Sequence, residues 1–366
     1  MTMKKVMLAI GAPLASVVLS VIAGALLLLV FGSNPIEAFG DMFAQALKPD
    51  TQVSILNRWT PLYLSGVAAA IGFRMNLFNI GVEGQYLLAA LFAAAVGGWI
   101  DLPMALHLLV IFAVAVTIGA LWAGIAGGLL VTRGVNIVIS TIMLNAIAIT
   151  GLIAWLINEW KADTDGVGRI GTPKLPESGQ LPNLNGLIEV FGVELRETSK
   201  LTGMFLVAVL VGIGYYILLN RTTFGYDLRA SGMNPFAARA GGVPPKRMIM
   251  ISMLLSGGVA GLIGLAEIFQ KEQFPSNPQT LLGFAGIAVA LVGRNNPFGI
   301  AVGAFIFAFL DSTSGVLQLM GAAPEIVKIM QAVIIFVAVI SYEVANRIRE
   351  REEAASAAAE LAGVTA

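Results

Sequence analysis

The sequence predicts an all-α fold: a polytopic transmembrane helical bundle of about ten spans, with both termini in the cytoplasm. Three observations carry that prediction. Of 366 residues, 57% are hydrophobic and 12% charged, where a soluble domain has roughly 25% charged residues. Mean hydropathy is +0.84. The apolar residues gather into runs near the roughly 20 that cross a bilayer core of about 30 Å. A water-soluble protein this poor in charge could not cover its own surface, so little room is left for a soluble catalytic domain. The net charge is zero, so nucleic acid is not an expected partner. With no cysteine, there are no disulfides, thiolate nucleophiles or cysteine-ligated metals.

The first apolar segment, Val6–Gly32, follows Lys4 and Lys5 as the core of a signal peptide would. Its length exceeds the roughly 7–15 residues of such a core, which favours an uncleaved anchor. Next come Trp59–Phe73 and Gln85–Ile100, both short, with Gly81 and Gly84 between them. Leu108–Val131 and Val135–Ile157 are full-length spans. The stretch 158–200 mixes five basic with seven acidic residues and several Pro and Gly, and reads as an irregular external loop. Leu201–Leu219 is the sixth segment. It leads into the inner loop 221–247, with five basic residues and one acid, Asp227. Met248–Ile268, Leu281–Gly293, Phe298–Met320 and Glu325–Val344 complete the set; Leu281–Gly293 is short and contains Gly283 and Gly286. The short segments read as broken or tilted and leave nine or eleven spans open. Residues 1–346 form the membrane domain. The 347–366 tail, Glu- and Ala-rich without an apolar stripe, reads as a frayed cytoplasmic helix.

The positive-inside rule fixes the orientation. With the N-terminus inside, 13 of the 22 basic residues fall on the inner side, and of the eight outside five lie in one long loop. Ten spans also permit spans two to five and seven to ten to be inverted repeats, an arrangement transporters use to build a central pathway. That expectation rests on topology alone.

Several polar residues interrupt the apolar pattern. Between spans two and three lie Arg74, Asn76, Asn79, Glu83 and Gln85. They form either a hydrated cytoplasmic turn or, at membrane depth, a cavity lining, since bare backbone in lipid costs several kcal/mol per group. Asp311 sits well inside span nine, followed by Ser312, Thr313 and Ser314. A carboxylate near mid-bilayer costs about 2.5–3.5 kcal/mol on insertion scales, so it faces the bundle interior or water. It is a structural acid or a polar lining. Thr141 and Asn145, four apart, share one helical face, which serves to glue helices or to line a path. Gly124/Gly128 and Gly257/Gly261 have the spacing of close helix packing. His107, the single histidine, has no neighbouring ligand cluster, so no metal site, no catalytic residue and no cofactor is implied. The phosphate-cradling pattern G-x-x-x-x-G-K-[ST] is absent, so a nucleotide driving this chain binds another subunit.

Within the inner loop, Asn234 followed by Pro235 is an N-cap and first-turn pair. Phe236 to Ala240 continue as helix, and Gly241-Gly242 end it. A helix this short is not stable alone in water. It packs on lipid headgroups, drawn by its basic residues, or on a partner protein at the cytoplasmic face.

Phe78-Asn-Ile-Gly-Val-Glu-Gly-Gln85, the stretch Leu228–Gly242 and Gly286-Ile-Ala-Val-Ala-Leu-Val-Gly293 occur in the order seen in membrane permeases of bacterial ABC importers. The chain resembles the branched-chain amino acid and simple-sugar permeases, over roughly residues 60–345. Within that class, Phe78–Gln85 and Val138–Asn145 look most like the nucleoside and simple-sugar branch. The resemblance implies a non-enzymatic half-channel in the bacterial cell membrane. It would pair with a second permease, homologous or identical, and with two cytoplasmic ATPase subunits, and receive its small-molecule substrate from an extracytoplasmic binding protein. Arg229, Asn234, Pro235, Arg239 and Gly241 would form the coupling helix seated on the ATPase, and Asn79, Glu83, Asn145 and Asp311 the polar lining of the pathway. Nucleosides are the expected substrates; a ribose-like sugar or an amino acid is the alternative, and an ion-coupled secondary transporter a further one. Arg294 departs from the family pattern, standing where a glycine is expected after Val292-Gly293.

Overall fold

A computed structural model describes residues 18–19, 21–162, 171–189, 195–321, 323, 325–337, 339–340, 344, 347, 351 and 354. The N-terminal half of the first segment, parts of the 158–200 loop and nearly all of the 347–366 tail lie outside the described residues. Among those described, ordered structure is helical, and two isolated bridges, Gly171 with Pro275 and Asn183 with Thr202, are the only β pairing.

The chain divides into two units, Met1–Leu47 with Thr313–Ala366, and Lys48–Ser312. In the first, α1 (Val21–Val30) and α2 (Pro35–Ala46) meet at a 117° bend. The bend is written locally: Asn34 caps α2 by accepting from the Ile36 N–H at 3.1 Å, and Pro35 opens the helix. Gly24 of α1 is covered by Met330 and Phe39.

The second unit holds α3 (Pro49–Arg74), α4 (Val82–Trp99), α5 (Met104–Arg133), α6 (Ile137–Glu159), α7 (Met204–Arg221), α8 (Thr223–Met233), α9 (Pro235–Ala240), α10 (Pro245–Gly261), α11 (Leu265–Lys271), α12 (Leu282–Val292) and the start of α13 (Pro297–Leu319). Among the described residues, five helices are long and apolar enough to span a membrane: α5, α6, α7, α10 taken with α11, and α13, with a sixth if α1 and α2 count as one bent span. The segments expected at α3, α4 and α12 are helical, but the first two are more polar and the third has 11 residues.

Three boundaries differ from the sequence reading. Helix α3 has 26 residues, because it runs outward through Asp50, Gln52, Asn57 and Arg58, whose polarity ended the apolar segment. The span Met248–Ile268 is interrupted at 262–264. Most of the inner loop 221–247 is helical, since Thr222 caps α8 by accepting from the Gly225 N–H at 3.1 Å.

Helices α3 and α4 are the buried centre, with 17 of 26 and 14 of 18 residues buried. Glycines set the spacing around them. A Cβ at Gly286 of α12 would stand 1.9 Å from the Ser65 hydroxyl of α3, and one at Gly264 would stand 2.5 Å from Ala90 of α4. The Gly257/Gly261 pair of α10 meets Gly119 and Ala115 of α5 backbone to backbone, whereas Gly124 and Gly128 face Leu254 and Met250 side chains. Close helix approach through small residues is how helices associate without a hydrophobic driving force.

Candidate functional site

The chain turns from α3 to α4 within residues 75–81. Asn76 takes φ 57°, a left-handed conformation that Asn tolerates better than most residues. Asn79 is fully buried. Its amide donates to Gln85 Oε1 at 3.1 Å and Ser256 Oγ at 2.9 Å, and its oxygen accepts from the Gly81 N–H and Gln85 Nε2, both at 3.0 Å. Ser256 in turn donates to the Ala68 carbonyl at 2.7 Å. Asn79 therefore ties the turn to α4 and α10 at once.

Glu83, 2% exposed, reaches across to the start of α12. Its Oε1 accepts from the Leu281 N–H at 2.6 Å and lies 3.1 Å from the Tyr86 hydroxyl, and its Oε2 accepts from the Gly283 N–H at 2.8 Å. The first N–H groups of a helix have no partner within it and carry partial positive charge, so a carboxylate is the natural group to place there. Gly283 permits the approach, since a Cβ would stand 2.5 Å from the Glu83 backbone nitrogen. Asn145 enters from α6: its oxygen accepts from the Gly84 N–H at 2.9 Å and its amide donates to the Ile80 carbonyl at 2.8 Å. Thr141, one turn earlier, donates to the Ile137 carbonyl at 2.8 Å and lies against Gly81.

Asn79, Glu83 and Asn145 thus meet along one short stretch, Asn79–Gln85, at the head of α4. Asp311 is positioned by a different element: its Oδ2 accepts from Arg58 Nε at 2.7 Å, with side-chain exposures of 24% and 29%. Next to Arg58, Trp59 stacks on Tyr63 with ring centroids 4.5 Å apart and donates to the Ala301 carbonyl of α13 at 2.9 Å.

On the side that the positive-inside rule places in the cytoplasm, Asn234 accepts from the Phe236 and Ala237 N–H groups at 3.0 and 3.1 Å, with Pro235 opening α9. The left-handed residue that turns the chain away is Gly242, φ 85°, while Gly241 has φ −80°. Phe236 is 86% exposed and Arg239 is exposed. Arg229 is half-buried and donates from Nη1 to the Leu219 carbonyl, holding α8 onto the end of α7.

Sequence reasoning missed Arg58, Ser256 and Tyr86. Arg58 immediately precedes the apolar run, where it reads as an external charge. Ser252 and Ser256, four apart in α10 and both fully buried, were the readable signal of a polar helix face. His107 is buried between the Gly97 carbonyl and the Ser178 hydroxyl, each 2.9 Å from a ring nitrogen, and ties the 158–200 loop to α4.

Residues 52–339 match the model of a protein family described as the permease component of branched-chain amino acid transport systems. Nucleoside ABC transporter permease protein NupB of Lactococcus lactis is 30% identical over 90% of each chain. Guanosine ABC transporter permease protein NupP of Bacillus subtilis is 32% identical over 91% of this chain and 93% of its own. Glucose ABC transporter permease protein TsgB13 of Haloferax volcanii is 31% identical over 91% and 88%.

Proposed function

Because the chain belongs to the permease family of branched-chain amino acid transport systems, and is a multi-pass membrane component of an ABC importer rather than an enzyme, we propose that it carries nucleosides inward. Two of the relatives named above carry nucleoside or guanosine in their names and the third glucose. A free sugar is therefore the competing substrate class. Two ATPase subunits, a second permease and an extracytoplasmic binding protein complete the transporter. In this reading Asn79, Glu83, Asn145 and Asp311 lie along the pathway, and Arg229, Asn234, Pro235, Arg239 and Gly241 belong to the coupling element.

The observation that carries the coupling assignment is α9 itself. A six-residue capped helix showing Phe236 to solvent is too short to hold itself together and offers an aromatic anchor of the kind that dominates protein interfaces. Arg239 lies in its last turn. Arg229 acts through position, by keeping α8 on α7. For the pathway, the support is the burial of three of the four polar groups, Asn79 in the α3–α4 turn, Glu83 in α4 and Asn145 in α6.

The test is uptake of radiolabelled guanosine and uridine by proteoliposomes carrying the complete transporter, with unlabelled ribose, glucose and leucine as competitors. Competition by nucleosides alone is expected. Competition by glucose or ribose at equal concentration would reassign the substrate to free sugars. Phe236→Asp together with Arg239→Glu should abolish co-purification of the ATPase subunits; retained co-purification and uptake would remove α9 from the coupling role.

A further inference from the structure

The end of α3 touches two cytoplasmic turns at once. On one side, Gly232 in the last turn of α8 bears on its backbone: a Cβ there would stand 2.4 Å from the Arg74 carbonyl oxygen and 2.9 Å from Met75 Cα. On the other side, the Arg74 guanidinium donates from Nη2 at 2.9 Å and Nε at 3.3 Å to the Asn295 carbonyl, between α12 and α13. The Tyr215 hydroxyl of α7 donates to the same oxygen at 3.1 Å.

The turn so clamped is not in a relaxed state. Arg294 and Asn295 have φ 56° and 54°, a conformation that costs the arginine more than the asparagine, and among the described residues Asn295 Oδ1 is buried without a partner. Backbone strain persists where surrounding contacts impose it, and switch regions are among the places where it gathers. The turn also repeats the local form of the coupling element. Asn296 caps α13 by accepting from the Phe298 and Gly299 N–H groups at 3.0 and 3.4 Å, Pro297 opens the helix, and Phe298 is 78% exposed.

Resting on the reading of α8–α9 as the coupling element, we propose that Arg74 is the positioning residue that carries its movement to the α12–α13 turn. The contact at Gly232 is backbone to backbone, so displacement of α8 moves the end of α3 without slack. The guanidinium fork then draws the Asn295 carbonyl with it. Helix α12 is short, and its far end is fixed to Glu83, so movement of the turn arrives at the Asn79–Gln85 stretch. Lysine, a single point donor, cannot reproduce the planar fork.

The experiment measures solute molecules imported per ATP hydrolysed, using the complete transporter in proteoliposomes. The ratio is read on transporter purified as the assembled complex, so that unfolded permease and detached ATPase do not enter it. Arg74→Gln should lower the ratio by about tenfold, within the span of known coupling factors. Tyr215→Phe, which keeps the ring and removes one donor, should lower it by about two- to threefold, and Arg74→Lys should fall between. A wild-type ratio in Arg74→Gln overturns the proposal. If that variant fails to assemble, a wild-type ratio in Tyr215→Phe overturns it instead. Absence of ATP-driven import by the unmutated transporter would instead sink the underlying reading of the chain's function.

Discussion

Helices α4 and α5 are neighbours with opposite relations to their own hydropathy. Helix α5 is the more apolar and has only 7 of its 30 residues buried, whereas α4 contains Glu83 and Gln85 and buries 14 of 18. In water this would be inverted. In a membrane the solvent is hydrocarbon, so apolar length marks the lipid-facing rim, and the centre is built from small residues and satisfied polar groups. The rim tolerates change because one greasy side chain contacts lipid as well as another. The centre does not, because its helices touch backbone to backbone and its polar atoms are hydrogen-bonded to one another at fixed positions.

The largest expected effect is therefore a side chain placed at a central glycine. Gly286→Val drives carbon into the Ser65 backbone and should destabilise the protein by about 3 kcal/mol or more. Leu121→Ala on the exposed face of α5 should change stability by no more than about 0.5 kcal/mol. Thermal unfolding of the two variants in detergent, followed by loss of the monodisperse peak, compares them directly. Equal losses would erase the distinction between rim and centre.

Next in size is Glu83→Leu. It leaves the buried Gly283 N–H without an acceptor, at about 1–3 kcal/mol, and takes the acceptor from the part-buried Leu281 N–H as well. Glu83→Gln retains one acceptor oxygen and should lose roughly half as much in the same measurement. If Leu and Gln behave alike, the carboxyl group is not what holds α12.

Arg294→Gly goes the other way. At φ 56° a glycine is relieved of about 1 kcal/mol of backbone strain, so the melting temperature should rise slightly; a fall would show that the Arg294 side chain contributes more than its backbone costs.

The smallest effect lies outside the membrane. The Ser199 hydroxyl, then the Arg196 N–H and the Arg196 charge, hold the Asp50 carboxyl below the ordinary value of 3.8. Its folded pKa is depressed, so the anchorage of residues 196–200 is complete above the ordinary value. It is lost as pH falls through the folded one. The protection factor of the Arg196 amide, its exchange rate relative to the free amide at the same pH, should fall below about pH 4, and Asp50→Asn should remove that dependence.

The same contrast explains what the sequence disclosed. Helices α5, α6, α7 and α13 were legible as spans because lipid-facing helices must be apolar along their length. The cap at Asn234 was legible because a cap is a contract among neighbours in the chain. The glycine that the family pattern places at Arg294 would suit the positive φ found there, which this chain meets with an arginine. By contrast, the outer turns of α3 and the break in α10 depend on which faces are covered, which no window of hydropathy contains. Glu83 and its N–H donor at Gly283 are 200 residues apart, and Arg58 and Asp311 are 253 apart. The sequence named both acids as important and could name neither partner.

Helix α12 also constrains how the chain enters the bilayer during synthesis. Its 11 residues reach about 16 Å, roughly half the hydrocarbon thickness, and its leading N–H groups are satisfied by Glu83, two hundred residues earlier in the chain. Such a segment gains too little from lipid to partition on its own. The seat it needs is built from α3 and α4, which precede it in the chain.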